Sequence, residues 1–431
     1  MGDRPDTLSS AELFDPSKET FVVTGSLTSA RTGHTATVLP DGRVLLAGGY
    51  GSSRQQLANA EIYDPSTGRF TETGQMTSAQ AWHTATLMRN GNVLIAGGFA
   101  QYPFLATPQL YDPVTGTFTQ VGSQTVSRFV CEWCSPAALL PDGKVLLGRS
   151  QPAQLYDPLA DMFRLAGEMV DPDRFTATTL TTGNVLFTGG SWFGRSSTTE
   201  LYDPVTDTFR SAASMADARG WQSATLLPDG TVLVAGGETA ACSGGSCSFA
   251  GTLDSAELYD PTRNIFTVTG RMAVPREVHT STLLNDGRVL VTGGVSYGGI
   301  GVFFGALASA ELYRPQVLIP VPQLLTLSAD GRSQGAILHA GTGRIVSAAD
   351  PTTAGQVLEI YLTGLINGSV LPPSVVIRGR MEVLSFRTKP RLEGLNRVDV
   401  RVPEGIEPGA EVGVRLMYNE RTSNEVTIGV R

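Results

Sequence analysis

One phrase recurs through most of this chain and limits what it can fold into. Its aromatic residue stands at Phe14, Tyr63, Tyr111, Tyr156, Tyr202, Tyr259 and Tyr313, at gaps of 49, 48, 45, 46, 57 and 54 residues. A period of about 50 residues marks an array of one supersecondary unit, in which each copy buries its apolar face on the next. Between the marks the chain reads as it does from His34 to Gly49: His-Thr-Ala-Thr-Val-Leu, a turn, then Arg-Val-Leu-Leu-Ala-Gly-Gly. The turn glycines Gly42, Gly91, Gly143, Gly183, Gly230 and Gly287 predict a β-hairpin with a two-residue loop, because glycine accepts the positive φ such a loop requires. The run Val44 to Ala47 is apolar without alternation, which predicts a strand buried on both faces. Asp64-Pro65 ends the next strand, since proline lacks a donor and presets a turn, and Phe70 opens a fourth. Each period is therefore one four-stranded blade. Six inner hairpins against seven Tyr-Asp-Pro-type strands predict that the N-terminal outer strands complete the last blade and leave no open edge.

Gly48-Gly49, the Tyr-Asp-Pro phrase and the aromatic after the turn together resemble the kelch family over residues 11 to 315. The resemblance implies an all-β chain with a six-bladed kelch β-propeller over residues 1–315, or a seven-bladed one if more sequence precedes it. The repeat stops after Arg314-Pro315. Residues 316–331, including the Pro-bearing stretch Val317 to Pro322, read as a linker. Residues 332–431 hold short β segments separated by turns such as Pro403-Glu404-Gly405, which predicts an immunoglobulin-like β-sandwich. Asn396 to Pro403 and Ser423 to Ile428 resemble a domain found at the ends of secreted bacterial proteins. The content of 49 Gly and 25 Pro, with 17% charged residues, agrees with many short strands and tight turns.

A formal charge of -8 argues against a nucleic-acid footprint or a polybasic membrane patch. No run approaches the roughly 20 apolar residues that span a bilayer. Small molecules, glycans and proteins remain as partners, and a monomer is expected. The four cysteines fall in two close pairs, Cys131/Cys134 and Cys242/Cys247, a spacing that suits disulfides or a metal site. Disulfides, and a start that falls within a repeat as though a leader were missing, predict a secreted, periplasmic or cell-envelope location.

The hairpin turns and the Tyr-Asp-Pro turns open on one face of a blade and vary little. The opposite face carries the length variation, in Tyr50 to Asn59, Phe99 to Thr107, Ser191 to Thr198, Glu238 to Ser255 and Val295 to Ser309, so function is expected there. Aligning the inner strands on their turn glycines places His34, His83, Ser135, Phe175, Gln222 and His279 at one entry position. One residue earlier come Gly33, Trp82, Cys134, Arg174, Trp221 and Val278; three residues earlier come Arg31, Gln80, Glu132, Pro172, Arg219 and Arg276. His34, His83 and His279 would hold a divalent transition metal with an open position; read structurally, they hydrogen-bond between blades. Trp82, Trp133 and Trp221, with Arg31, Arg219, Arg276, Glu132 and Gln222, would form an aromatic and cationic rim for a glycan, an acidic one by its arginines. Read structurally, the indoles wedge blades apart and each arginine pairs with a neighbouring glutamate. Cys131-Glu132-Trp133-Cys134 has redox spacing but enters a β blade, which favours a local disulfide. Cys242 to Cys247 closes the tip of the longest loop, where a disulfide would stiffen it; the two pairs together would make a four-thiolate metal site.

The order of domains is similar to that of galactose oxidase and its copper-radical relatives. The resemblance reaches Cys134, at that family's crosslinking cysteine position, and Arg219 to Thr225, which is like the segment holding its crosslinked copper tyrosine. It also offers His339 in place of the ligand from the C-terminal domain. Trp221 where the redox tyrosine belongs, no Tyr-His pair at the start of any inner strand, and two repeats between Cys134 and Trp221 all depart from that pattern. A copper-radical oxidase is therefore not expected. No G-x-S-x-G elbow, H-E-x-x-H or phosphate-binding P-loop occurs, and no catalytic residue is assigned. The sequence predicts a secreted or envelope-associated protein that binds a glycan or a protein through its loop face. The alternative is a propeller enzyme with a metal-assisted hydrolytic or oxidative site at the channel mouth.

Overall fold

The computed structural model describes residues 7–100, 107–122, 136–148, 152–171, 176–190, 196–243, 246–297, 303–316, 322–328, 334–365, 371–381, 383, 385–388, 395–419 and 421–431. Among them every regular element is a β-strand. Residues 1–177 with 200–211 form one compact unit, and residues 178–199 with 212–431 form another.

The first unit contains three four-stranded antiparallel sheets. One runs Thr35–Val38, Val44–Ala47, Ala60–Asp64, Arg69–Glu72. The next runs Thr84–Leu87, Val93–Ala96, Gln109–Asp112, Thr117–Gln120. The third runs Ala137–Leu139, Val145–Leu147, Gln154–Asp157, Met162–Leu165. The second strand of the middle sheet is apolar on both faces because that sheet packs between the other two. Leu45, Ala47 and Ile62 share a core with Val93, Ile95 and Tyr111, while Leu94 and Ala96 share another with Val145, Leu147 and Tyr156. The recurrent aromatic and the one after the turn are cross-strand partners: Tyr63 lies opposite Phe70 with ring centroids 4.7 Å apart, and Tyr111 opposite Phe118 at 4.8 Å. Such pairs lock the register of the outer hairpin.

The turn glycines have φ of 90°, 89°, 89°, 91°, 88° and 88° at Gly42, Gly91, Gly143, Gly183, Gly230 and Gly287, as the sequence predicts. The loop is longer than predicted. Leu39 N donates to Arg43 O at 2.7 Å and Gly42 N to Leu39 O at 2.9 Å. The loop is therefore the three residues Pro40-Asp41-Gly42, with the glycine at the left-handed position that three-residue hairpins use. Glu12–Asp15 and Thr20–Val23 pair with each other as a separate two-stranded sheet.

The second unit holds the four-stranded sheet Ser223–Leu226, Val232–Ala235, Ser255–Asp260, Ile265–Arg271 and the three-stranded sheet Thr280–Leu283, Val289–Thr292, Ala310–Tyr313. The third strand of that last sheet is its own Tyr313 strand. Among the described residues no fourth strand pairs with it. Two segments expected as loops are hairpins: Glu238–Ser243 with Ser246–Thr252, and Val295–Tyr297 with Phe303–Ala306.

The C-terminal part is two five-stranded antiparallel sheets around one core that includes Ile337, Leu358, Ile360, Val398, Val414 and Ile428. Gln323–Leu324, in the stretch expected as a linker, pairs with Val357–Thr363 in one of these sheets. This part rests on the hairpin turns of the two preceding sheets. Asn419 Nδ2 donates to Leu226 O at 3.2 Å, Arg421 Nε to Asn285 O at 2.9 Å, and Thr422 N to Asn285 Oδ1 at 3.1 Å. Asn285 stands where other turns carry Pro40, Pro141 and Pro228; proline has no side-chain oxygen to accept the last of these bonds.

Candidate functional site

The entry to each inner strand has one backbone design. The residue before the aligned His or Gln is left-handed: φ is 65° at Gly33, 58° at Trp82, 58° at Trp221 and 53° at Val278. For valine and tryptophan this is an uncommon and strained state. It is held by hydrogen bonds between neighbouring blades, Trp82 N to Gly33 O at 2.8 Å and Val278 N to Trp221 O at 3.1 Å. The Gly-Gly pair exists because the next blade's entry segment lies against it. A Cβ on Gly48 would sit 2.3 Å from Gln80 O, and one on Gly236 would sit 2.5 Å from Arg276 O.

This packing decides where the expected site residues go. The three arginines are inside their blades. Arg31 reaches Glu61 at 2.6 Å, Arg219 reaches Glu257 at 2.8 Å and Arg276 reaches Glu311 at 2.8 Å, each guanidinium fully buried. Each also donates to the carbonyl that ends its second strand, at Gly48, Gly236 and Gly293. Burial pushes the Glu61 carboxyl up, but the Thr28 and Ser29 amides and Arg31 together hold it below its usual range. Gln222 donates Nε2 to Thr188 O at 3.0 Å and to its Oγ1 at 3.3 Å. Trp221 is buried, and Trp82 packs its ring over Gly33. Trp133, Glu132, Cys131 and Cys134 lie outside the described residues. Cys242 and Cys247 are direct cross-strand partners in the first hairpin.

His83 Nε2 bonds Thr35 Oγ1 at 2.9 Å, and His279 Nε2 bonds Ser223 Oγ at 2.9 Å, each across to the preceding blade. His34 lies close enough to His83 to oppose its protonation. Burial lowers all three imidazoles to about 4, helped at His34 by Arg31 and at His279 by Arg276. His83 and His279 are neutral stitches between blades. Among the described residues no three His, Cys, Asp or Glu side chains gather as a metal would require.

A different group comes together in the second unit. The two hairpins stand side by side: Phe249 and Tyr297 meet edge to face at 5.3 Å, and Thr252 Oγ1 donates to Tyr297 O at 3.2 Å. At their feet are two buried carboxylates. Glu238 opens the first hairpin and is bridged by its backbone to Gly220; Glu277 is bridged to Val295, which opens the second. Burial raises the Tyr297 phenol, and the charges of Glu277 and Glu238 raise it further. Trp221 and Val278 join the two entry segments. Sequence reasoning passed over these acids. A partial signal was present: Glu277 fills a position held elsewhere by Thr32, Ala81, Trp133, Asp173 and Gly220, and Glu238 one held by Tyr50, Phe99, Ser191 and Val295.

Fold and repeat together support a kelch-repeat β-propeller. A model of the Kelch motif matches residues 30–77. Among solved structures, the chain is similar to a fungal alcohol oxidase of the AA5 family, determined in complex with copper. The TM-score is 0.61 at 17% identity, covering 98% of this chain and 90% of that one. No curated protein matches the chain.

These findings correct the functional expectation. The end-to-end likeness is to an enzyme's fold, and nothing in the comparisons supports a glycan- or protein-binding protein. The arginines expected to meet a ligand are spent inside their blades. The alternative, a metal-assisted site, set the chain apart from copper-radical oxidases by its sequence departures; in fold it is not set apart. Among the described residues no set of three metal-ligating side chains gathers to hold copper. His279 commits Nε2 to Ser223, and the neighbouring entry positions carry Trp221 and Val278, neither of which supplies a donor atom for a metal.

Proposed function

We propose that this chain is an enzyme that acts on a C–O bond of a hydroxylated substrate at the foot of the two hairpins, using Glu238, Glu277 and Tyr297. The observation that carries the reading is the burial of two carboxylates beside a phenol that they help keep protonated. One carboxylate takes a proton from a water molecule as its oxygen bonds to the reacting carbon, the C–O bond to the leaving group breaks, and the neutral phenol gives its proton to the departing oxygen and regains one from the carboxylic acid so formed. The second carboxylate stabilises the positive charge that develops at that carbon. The alcohol substrate in the description of the structural neighbour supports a hydroxylated substrate class.

A panel of polyols and glycosides, with products followed by NMR, tests this. Turnover should survive dialysis against EDTA and fall about 10²- to 10⁴-fold in Glu277→Gln. Activity that appears only with added copper, or that is unchanged in both Glu277→Gln and Glu238→Gln, would refute it. The finer architecture belongs to the same reading: six blades, an immunoglobulin-like sandwich and export to an oxidising compartment. The register of Cys242 against Cys247 supports a disulfide there, which mass measurement after alkylation without reductant tests.

A further inference from the structure

We propose that the first unit holds a half-built blade whose free edge takes a β-hairpin from a partner polypeptide, one that carries an arginine and, four residues later, a serine or threonine. The strands Glu12–Asp15 and Thr20–Val23 have the sequence of an outer hairpin. Ala11-Glu12-Leu13-Phe14-Asp15-Pro16 matches Ala60-Glu61-Ile62-Tyr63-Asp64-Pro65, and Phe14 lies opposite Phe21 as Tyr63 lies opposite Phe70. The two differ on their inner side. Ala60–Asp64 pairs there with Val44–Ala47, whereas among the described residues Glu12–Asp15 has no second strand. An unpaired edge of this kind is a template for a strand from another chain.

The surfaces beside the edge are uncovered as well. Leu13 is 46% exposed, against 4% for Ile62 at the same place in its own sheet. Ala11 and Leu27 pack on Leu46 and Tyr63, so the half-blade lies against the sheet that begins at Thr35. On that sheet's inner strand Val38 is 49% exposed, while Leu226, equally far from its turn glycine, is 8% exposed. Apolar surface is therefore left where an inner hairpin would lie.

Two side chains specify the occupant. In three sheets the glutamate of the recurrent phrase is met by an arginine that enters the inner strand: Arg31 with Glu61, Arg219 with Glu257 and Arg276 with Glu311. Glu12 is exposed and has no such partner among the described residues. His83 bonds Thr35 and His279 bonds Ser223, each the first residue of the preceding inner strand. His34 stands at the same position, yet its ring makes no hydrogen bond among the described residues, and its Nδ1 is buried. One hairpin can serve both groups, because arginine and hydroxyl stand four residues apart in Arg31 and Thr35, Arg219 and Ser223, and Arg276 and Thr280. Its second strand is a four-residue apolar run, as Val44–Ala47 is opposite Ala60 to Tyr63. A second copy is a poor donor, since its own second strands, such as Val93–Ala96, are buried.

Calorimetric titration of the full chain with a synthetic peptide of residues 276–294, which holds Arg276, Thr280 and the run Val289–Thr292, tests the proposal. One peptide should bind per chain. Arg276→Ala in the peptide should weaken binding at least about tenfold, and Thr280→Val about fivefold. Glu12→Ala in the chain should weaken binding of the parent peptide as much as Arg276→Ala does, with an unchanged unfolding midpoint, and should abolish the difference between the two peptides. No binding at millimolar peptide, equal binding of a scrambled peptide, or equal binding of either substituted peptide to the parent chain would each overturn it. A difference between the two peptides that persists in Glu12→Ala would overturn it too.

Discussion

Acidification should cost this protein stability through its buried imidazoles, and His83 is the place to measure the effect. Burial, helped by His34, lowers His83 from 6.5 to about 4, while its Nε2 is held by Thr35 Oγ1. An unfolded chain takes up a proton as the pH falls through 6.5; the folded chain refuses it until about 4. The folded value is depressed, so the penalty is absent at pH 7, grows between 6.5 and 4, and is constant below. At pH 5 one such group contributes about 2 kcal/mol of destabilisation, from 1.36 kcal/mol per pK unit and incomplete titration. His83→Gln removes the titration and keeps a donor; Gln222 occupies the same place in its own repeat and bonds Thr188 with its amide. Urea unfolding at pH 7 and pH 5 should show the acid-induced loss smaller by about 2 kcal/mol in the variant. Equal losses in the two proteins, or an NMR titration of the His83 ring near 6.5, would refute the reasoning.

Two further changes probe the blade interior. Arg219→Ala strands the buried Glu257 carboxylate and should cost about 3–5 kcal/mol in denaturant unfolding, most of it recovered when Glu257→Leu accompanies Arg219→Met. Gly236→Ala forces a side chain into a φ of 64° and a Cβ to 2.5 Å from Arg276 O. It should lose more than about 1 kcal/mol, whereas Gly270→Ala, with nothing within 4 Å, should change little in the same assay.

The blade was legible because its signals are local. A glycine that must be left-handed, a proline that ends pairing and a four-residue apolar run each carry their meaning in the sequence itself. Loop length at Pro40-Asp41-Gly42 was misjudged by one residue because the identity of the turn glycine is the same in both hairpin types. The candidate site was harder. Arg31, Arg219 and Arg276 looked like a rim because alignment gives position along a strand and not depth, and their Glu partners lie about 30 to 40 residues away. Glu238 and Glu277 both come to act on Tyr297 through two hairpins whose pairing no local pattern announces.

The seat of the sandwich on Leu226 and Asn285 has a consequence for assembly. A row of near-identical repeats offers a row of near-identical turns, and a domain that recognised the shared Pro-Asp-Gly would have several equivalent landing places. Replacing that proline with Asn285 gives one turn a private acceptor, so the C-terminal domain can tell one repeat from its siblings. A single side chain thereby works as an address, setting this turn apart from the three that read Pro-Asp-Gly.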